Sequence, residues 1–208
     1  MKEAQFNRFN PGDDKMKGRP QIVLDIAGVL LSNMSATCWE DMAEEYNLSS
    51  DTLKEHFKGI KRELWMGSMK EEQFWEWLIE TYPTVPLNRA KEIILNAIVP
   101  LPATQCLEGW SKLADIHLLS NHCKEWIKPN MSSINKFAKS VTISNQVGLC
   151  KPEIEIYKLV DSFLPVGEEV LFIDDQEKNL KSAKALGWTT ILADEHCNWI
   201  NKLHSKLL

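Results

Sequence analysis

Five short apolar runs alternate with stretches of helical periodicity along most of this chain, and that alternation restricts the fold more than any other feature of the sequence. The runs are Gln21 to Leu24, Ile116 to Leu119, Val141 to Ser144, Val170 to Ile173 and Thr190 to Ala193. Each is too short for a helix and apolar enough to be buried on both faces. Strands separated by helices belong to a parallel sheet, so the expected class is α/β, a doubly wound parallel sheet. Helices are predicted over about Thr104 to Ala114, Lys124 to Ala138, Lys151-Pro152 to Phe163 and Glu177 to Leu186, followed by a terminal helix. Gly187 should cap the helix that precedes it.

One interruption breaks the rhythm. From Ala36 to about Val99 the pattern is helical throughout: Leu53, Phe57, Ile60 and Leu64 recur at spacings of three and four, and Ser68-Met69-Lys70-Glu71 reads as a capping box. The expected organisation is therefore a loose lead-in over 1–20, an α/β core made of 21–34 and 101–208, and an inserted helical cap over 35–100. A chain of 208 residues, 44% hydrophobic, can bury one such core but not two large independent ones.

Composition excludes some functions. With 29 acidic against 24 basic residues and a formal charge of -5, no basic face is expected for a nucleic-acid backbone. No stretch approaches the ~18 apolar residues of a membrane helix, and the first residues lack the apolar centre of a signal peptide. Cys38, Cys106, Cys123, Cys150 and Cys197 are odd in number and widely spaced, which fits neither a disulfide framework nor a zinc site. A cytoplasmic protein with reduced thiols is the expectation, and monomer and homodimer are both open.

Polar residues stand just past several strand ends, where open parallel sheets bind ligands. Asp25 follows the first strand, Ser120-Asn121 the second, Lys151 lies beyond the third, and Asp174-Asp175 closes the fourth. Adjacent carboxylates at a buried strand end repel unless a cation is near, so Asp174-Asp175 is the most specific of these signals. Two or three carboxylates gathered at one strand end suit Mg²⁺, a hard ion that takes oxygen ligands and shares them with phosphate.

In this order and spacing the segments resemble the four motifs of the haloacid dehalogenase (HAD) superfamily, in its branch with a helical cap after the first motif. The likeness runs over nearly all of the chain from Gln21. Val23-Leu24-Asp25-Ile26-Ala27-Gly28-Val29-Leu30 is similar to the first motif, Asp-x-Asp, except that Ala27 replaces the second aspartate. Leu118-Leu119-Ser120-Asn121, Gly148-Leu149-Cys150-Lys151-Pro152 and Phe172-Ile173-Asp174-Asp175-Gln176-Glu177-Lys178-Asn179 are similar to the other three.

The resemblance implies that Asp25 is the nucleophile, Lys151 the catalytic cation, and Ser120 with the Asn121 backbone N–H the phosphate holders. It implies Mg²⁺ on Asp25, Asp175 and the backbone carbonyl of Ala27, with Asp174 near and Asn179 orienting the carboxylates. The expected activity is hydrolysis of a small phosphorylated metabolite through an aspartyl-phosphate, weakened by the loss of an acid–base carboxylate at Ala27. His122 or His56 is a candidate replacement.

Three other readings remain open. One is a binding or regulatory protein that has lost turnover. The second is chemistry like that of phosphonoacetaldehyde hydrolases, for which Lys54, Lys58, Lys61 and Lys70 are the available amines. The third is metal-free dehalogenation. Of the tryptophans Trp39, Trp65, Trp75 and Trp77, most are expected to pack among cap helices, with Trp75 or Trp77 facing substrate.

Overall fold

The computed structural model describes residues 18–34 and 37–208. Most of the lead-in and the residues at the expected core–cap boundary near 35–36 thus lie outside the described residues. Five strands, β1 (Gln21–Leu24), β2 (Asp115–Ser120), β3 (Ala138–Ile143), β4 (Val170–Asp174) and β5 (Thr189–Leu192), form one parallel sheet in the order β3-β2-β1-β4-β5. The order reverses between β1 and β4, which opens a crevice at their carboxyl ends.

Strand periodicity accounts for the two-faced core. Ile22 and Leu24 of β1, Ile116 and Leu118 of β2, and Leu171 and Ile173 of β4 face one side. There α5 (Leu107–Leu113), α6 (Lys124–Asn135) and α10 (Asn198–Leu207) contribute Trp110, Trp126, Ile127, Trp199 and Leu203. Val23, Leu119, Val170 and Phe172 face the other side, against Ile156, Tyr157 and Val160 of α8 (Ile154–Asp161) and Leu180 and Ala183 of α9 (Glu177–Ala185). Covered on both faces, the strands need continuous apolar runs rather than alternation, as the sequence has.

Among the described residues four α-helices lie between β1 and Pro100, ahead of α5: α1 (Cys38–Tyr46), α2 (Ser50–Met66), α3 (Glu71–Thr81) and α4 (Leu87–Asn96). Chain enters and leaves them through two adjacent segments that bond to each other. Ser32 N–H donates to Val99 O at 2.8 Å, and Leu101 N–H to Leu30 O at 2.8 Å. Aromatic side chains hold these helices to the sheet. Trp126 of α6 meets Phe74 of α3 at a centroid distance of 4.9 Å and Trp65 of α2 at 5.8 Å, while Phe57 of α2 meets Trp39 at 5.0 Å, tilted by 46°. Trp39, Trp65 and Trp75 are buried and Trp77 is half-buried, as their packing role requires.

Several expected boundaries move. The capping box opening α3 sits two residues later than Ser68-Glu71: Lys70 N–H donates to Gln73 Oε1 at 2.8 Å, and Ser68 Oγ donates back to Glu63 O. Its hydroxyl is consumed by the preceding turn. The helix expected over 124–138 ends at Asn135, because Ala138 already pairs with Ile116 in the sheet. A 3₁₀ turn over Pro102–Cys106 precedes α5, and the short helix α7 (Ser144–Val147) follows β3 directly. Gly187, at φ +85°, takes up the chain after α9, its N–H donating to Lys184 O at 2.9 Å.

One glycine sets the crevice. After Asp25 the chain turns sharply, with Gly28 at φ +83°, and a Cβ there would stand 2.5 Å from the Asp175 carboxyl carbon. Only a residue without a Cβ tolerates both that backbone and that approach. Gly28→Ala should cost about 1–2 kcal/mol for the left-handed backbone alone. It should lower Tm by roughly 2–8 °C. Thermal unfolding followed by circular dichroism checks this, and an unchanged Tm would remove Gly28 from its role.

Candidate active site

At the carboxyl ends of β1 and β4 a buried ammonium joins two carboxylates. Lys151 Nζ lies 2.6 Å from Asp25 Oδ2 and 2.6 Å from Asp174 Oδ2, and all three side chains are at least 95% buried. Asp25 ends β1 and Asp174 ends β4, so parallel pairing of those strands brings the acids together. Lys151 arrives on the loop after α7. Asn121 clamps that loop: its Nδ2 donates to Lys151 O at 2.8 Å, and its Oδ1 accepts the Lys151 N–H at 2.8 Å.

The two adjacent aspartates differ. Both oxygens of Asp174 are engaged. Oδ1 accepts the Gln176 N–H at 2.8 Å and Asn179 Nδ2 at 2.8 Å, and Oδ2 takes Lys151 and, at 3.0 Å, the same Asn179 amide. Tyr157 Oη in turn donates to Asn179 O at 3.0 Å, which fixes the start of α9. Asp175 Oδ1, by contrast, is buried without a partner, and so is Ser120 Oγ. Asn179 Oδ1 is orphaned too, as are the indole nitrogens of Trp39 and Trp126; buried polar atoms are nearly always satisfied, so the three orphans at the carboxyl ends of β2 and β4 point to a guest that satisfies them.

Among the described residues, Asp25, Asp174 and Asp175 form the one cluster able to offer three metal-ligating atoms, each within 4.8 Å of the others. Three acids against one ammonium leave an excess of negative charge that a hard divalent cation would offset, and the donors are all oxygen. The residues present therefore fit Mg²⁺.

Titration follows the crowding. Burial pushes the Asp25 carboxyl up to about 8, with Asp174 and Asp175 adding to the rise and Lys151 opposing it. Burial raises Asp175 as well, helped by Asp174. For Lys151 burial alone would lower the pKa, but Asp25 and Asp174 more than offset it and hold the ammonium charged.

A cavity of about 370 Å³ opens from Asp25 toward α2. Ala27 lines it with a methyl group where the motif it resembles carries a carboxylate, and among the described residues Asp25 is the only acid on its wall. Lys58, Lys61, Arg62 and Trp65 come from α2, Asn121 and His122 from the turn after β2, and Lys178 and Asn179 from α9.

The structure corrects several expectations about individual residues. His122, a candidate to replace the missing carboxylate, is buried: its ring stacks on Trp65 at 5.1 Å and 27°, and burial pushes its pKa down to about 4. His56 is exposed, bonds Tyr82 Oη at 2.8 Å through Nδ1, and does not line the cavity. Of the four candidate lysines, Lys58 and Lys61 reach the cavity, while Lys54 pairs with Glu40 and Lys70 donates to Gly67 O.

Neither Trp75 nor Trp77 lines the cavity; Trp75 packs on Phe74 and donates to Glu71 Oε1 at 3.0 Å. The tryptophan on the wall is Trp65. Sequence reasoning missed it, although Lys58, Lys61, Arg62 and Trp65 share one face of a helix by their spacing alone. Cys150 is on the wall with its thiol pushed up by burial, an inert state.

No protein-family model matches the chain. Over 197 residues, 88% of this chain and 95% of the other, it is 26% identical to D-ribitol-5-phosphate phosphatase of Bacteroides thetaiotaomicron. A HAD-family enzyme of the same organism, crystallised with magnesium and inorganic phosphate, superposes with a TM-score of 0.70 at 20% identity, over 88% of this chain and 98% of that one. A HAD-like hydrolase of Porphyromonas gingivalis does so at 0.72 and 23%, over 91% and 98%. The chain thus shares the fold of HAD-family enzymes and is similar in sequence to a phosphatase.

Proposed function

We propose that the protein is a Mg²⁺-dependent phosphatase of small phosphomonoesters that works through an aspartyl-phosphate. The observation that carries this reading is the buried Asp25–Lys151–Asp174 linkage beside an Asp175 oxygen and a Ser120 hydroxyl that have no partner. The relative named for D-ribitol 5-phosphate and the neighbour crystallised with magnesium and phosphate support it.

Asp25 is the nucleophile. Its carboxylate forms a bond to phosphorus as the ester's P–O bond to the leaving alkoxide breaks; water then attacks the same phosphorus, releasing phosphate and restoring Asp25. Lys151 orients Asp25 and offsets the charge that builds on the phosphoryl oxygens. Ser120 Oγ, with no partner of its own, donates to one of those oxygens, and the Asn121 backbone N–H serves another. Asp174 and Asn179 hold Lys151 in place. The carboxylates of Asp25 and Asp175 and the backbone carbonyl of Ala27 would hold Mg²⁺, with Asp174 beside them. The ion supplies positive charge for the phosphoryl group at that point. Helices α1–α4, as a cap over 35–100, close over the substrate and exclude water.

Ala27 supports a second reading, a protein that binds a phosphoester without turning it over, since its methyl can neither protonate the leaving oxygen nor activate water. Burial keeps His122 neutral near pH 7, so it can accept a proton but has none to spare as a cation. Leaving groups that depart unprotonated should therefore react best.

Aryl phosphates such as p-nitrophenyl phosphate should be hydrolysed with Mg²⁺, and Asp25→Asn should lower kcat at least 10³-fold while leaving the fold intact by circular dichroism. Phosphate release without metal, or undiminished in that variant, would overturn the nucleophile assignment. Ala27→Asp should raise kcat on alkyl phosphates ~10²-fold or more, toward the usual size of acid–base catalysis, and on aryl phosphates much less. Equal gains on both, by steady-state kinetics, would show that protonation of the leaving group is not what Ala27 lacks. Absence of turnover in the parent and in Ala27→Asp alike would favour the binding reading.

A further inference from the structure

Beyond the phosphoryl-facing groups, the cavity wall is strongly cationic. Lys58, Lys61 and Arg62 sit on one face of α2, and Lys178 faces the same space from the first turn of α9. Among the described residues Asp25 is the only acidic side chain on that wall, and Lys151 already occupies it.

The four peripheral cations are not equivalent. Arg62 is held by Glu153 on the far side of the Lys151 loop, Nη2 to Oε1 at 2.5 Å, and Lys58 Nζ lies 3.3 Å from Glu55 on its own helix. Among the described residues Lys61 and Lys178 have neither an ion-pair nor a hydrogen-bond partner. Lys61 is half-buried; burial, and then the charge of Lys178, pull its pKa below the ordinary value. Two like charges, one half-buried and one exposed, thus face one cavity, and Asp175 offsets Lys61 only in part, an arrangement that an anionic ligand would relieve.

Their extent matters too. Positions 58 to 62 span about 6 Å of helix axis. That is more than one phosphoryl group on Asp25 can cover, and that group already has Ser120 and Lys151. A neutral polyol tail, such as that of ribitol, would leave Lys61 and Lys178 unmatched.

We infer that the substrate is a phosphomonoester carrying a second anionic group on its leaving portion, a carboxylate or a second phosphate, bound between Lys61 of α2 and Lys178 of α9. This rests on the phosphatase reading and narrows it to a substrate class. Because Lys61 stands on an inserted helix and Lys178 on α9, which packs on the sheet, such a ligand also draws the two parts together. Trp65 adds little as a stacking surface, since His122, Phe57 and Trp126 already contact its ring.

A matched set of esters tests it: glycerol 3-phosphate with a neutral tail, 3-phosphoglycerate with a carboxylate, and 1,3-propanediol bisphosphate with a second phosphate. One or both of the anionic-tailed esters should exceed glycerol 3-phosphate in kcat/KM by ~10–100-fold, the size of one or two charge-assisted hydrogen bonds. Which one does so tells carboxylate from phosphate. Lys61→Met and Lys178→Met should each remove most of that preference, chiefly through KM, and Lys61→Arg should restore part of it. Equal or reversed preference, or a preference that survives both methionine substitutions, overturns the inference while leaving the phosphatase reading in place. Calorimetric binding of the same esters to Asp25→Asn decides it even without turnover. Tighter binding of an anionic-tailed ester that weakens in Lys61→Met supports the second-anion site, and indifference to tail charge sinks it.

Discussion

The bond network around the Lys151 ammonium is the constraint on which the rest of this structure depends. A lysine removed from water is costly, and so is each of the carboxylates it touches; here they are tolerable only together. Lys151 at 2.6 Å from both Asp25 and Asp174 ties three separate chain segments, the ends of β1 and β4 and the loop after α7, to one point. Everything nearby serves that placement. Asn121 grips the backbone of Lys151, Asn179 and the Gln176 N–H fix Asp174, Tyr157 fixes Asn179, and Gly28 lets the chain pass against Asp175.

That network sorts the two neighbouring aspartates by what is left over. Asp174 has no free oxygen and acts as scaffold; Asp175 keeps one buried oxygen without a partner. The same sorting applies to the cavity. Lys151 is consumed by the core, Arg62 and Lys58 by carboxylates at the rim, and Lys61 and Lys178 remain. Groups that the fold leaves unsatisfied, rather than those it satisfies, describe the ligand.

Much of this was legible in the order of residues. Continuous apolar runs buried on both faces and the position of Asp25, Ser120 and Asp174 at strand ends follow from local chemistry, and so does the fully helical stretch between β1 and β2. Element ends were less so. The capping box moved because Ser68 found an acceptor in the preceding turn, and α6 stopped early because Ala138 was claimed by the sheet. Which tryptophan and which histidine meet the cavity was not legible at all. Trp65 and His122 stack on each other from elements far apart in sequence, while Trp75 and His56 turn toward α3's own first turn and Tyr82.

The sequence by itself determined the parallel α/β framework, the helical insertion and the four polar segments, because each depends on residues close in the chain: strand and helix periods, turn glycines, acids at apolar run ends. Only the tertiary structure decided which aspartate keeps a free oxygen, which lysines stay unpaired and what shares the space beside Ala27. Those are questions of through-space distance and desolvation between segments tens of residues apart, and no local pattern encodes them.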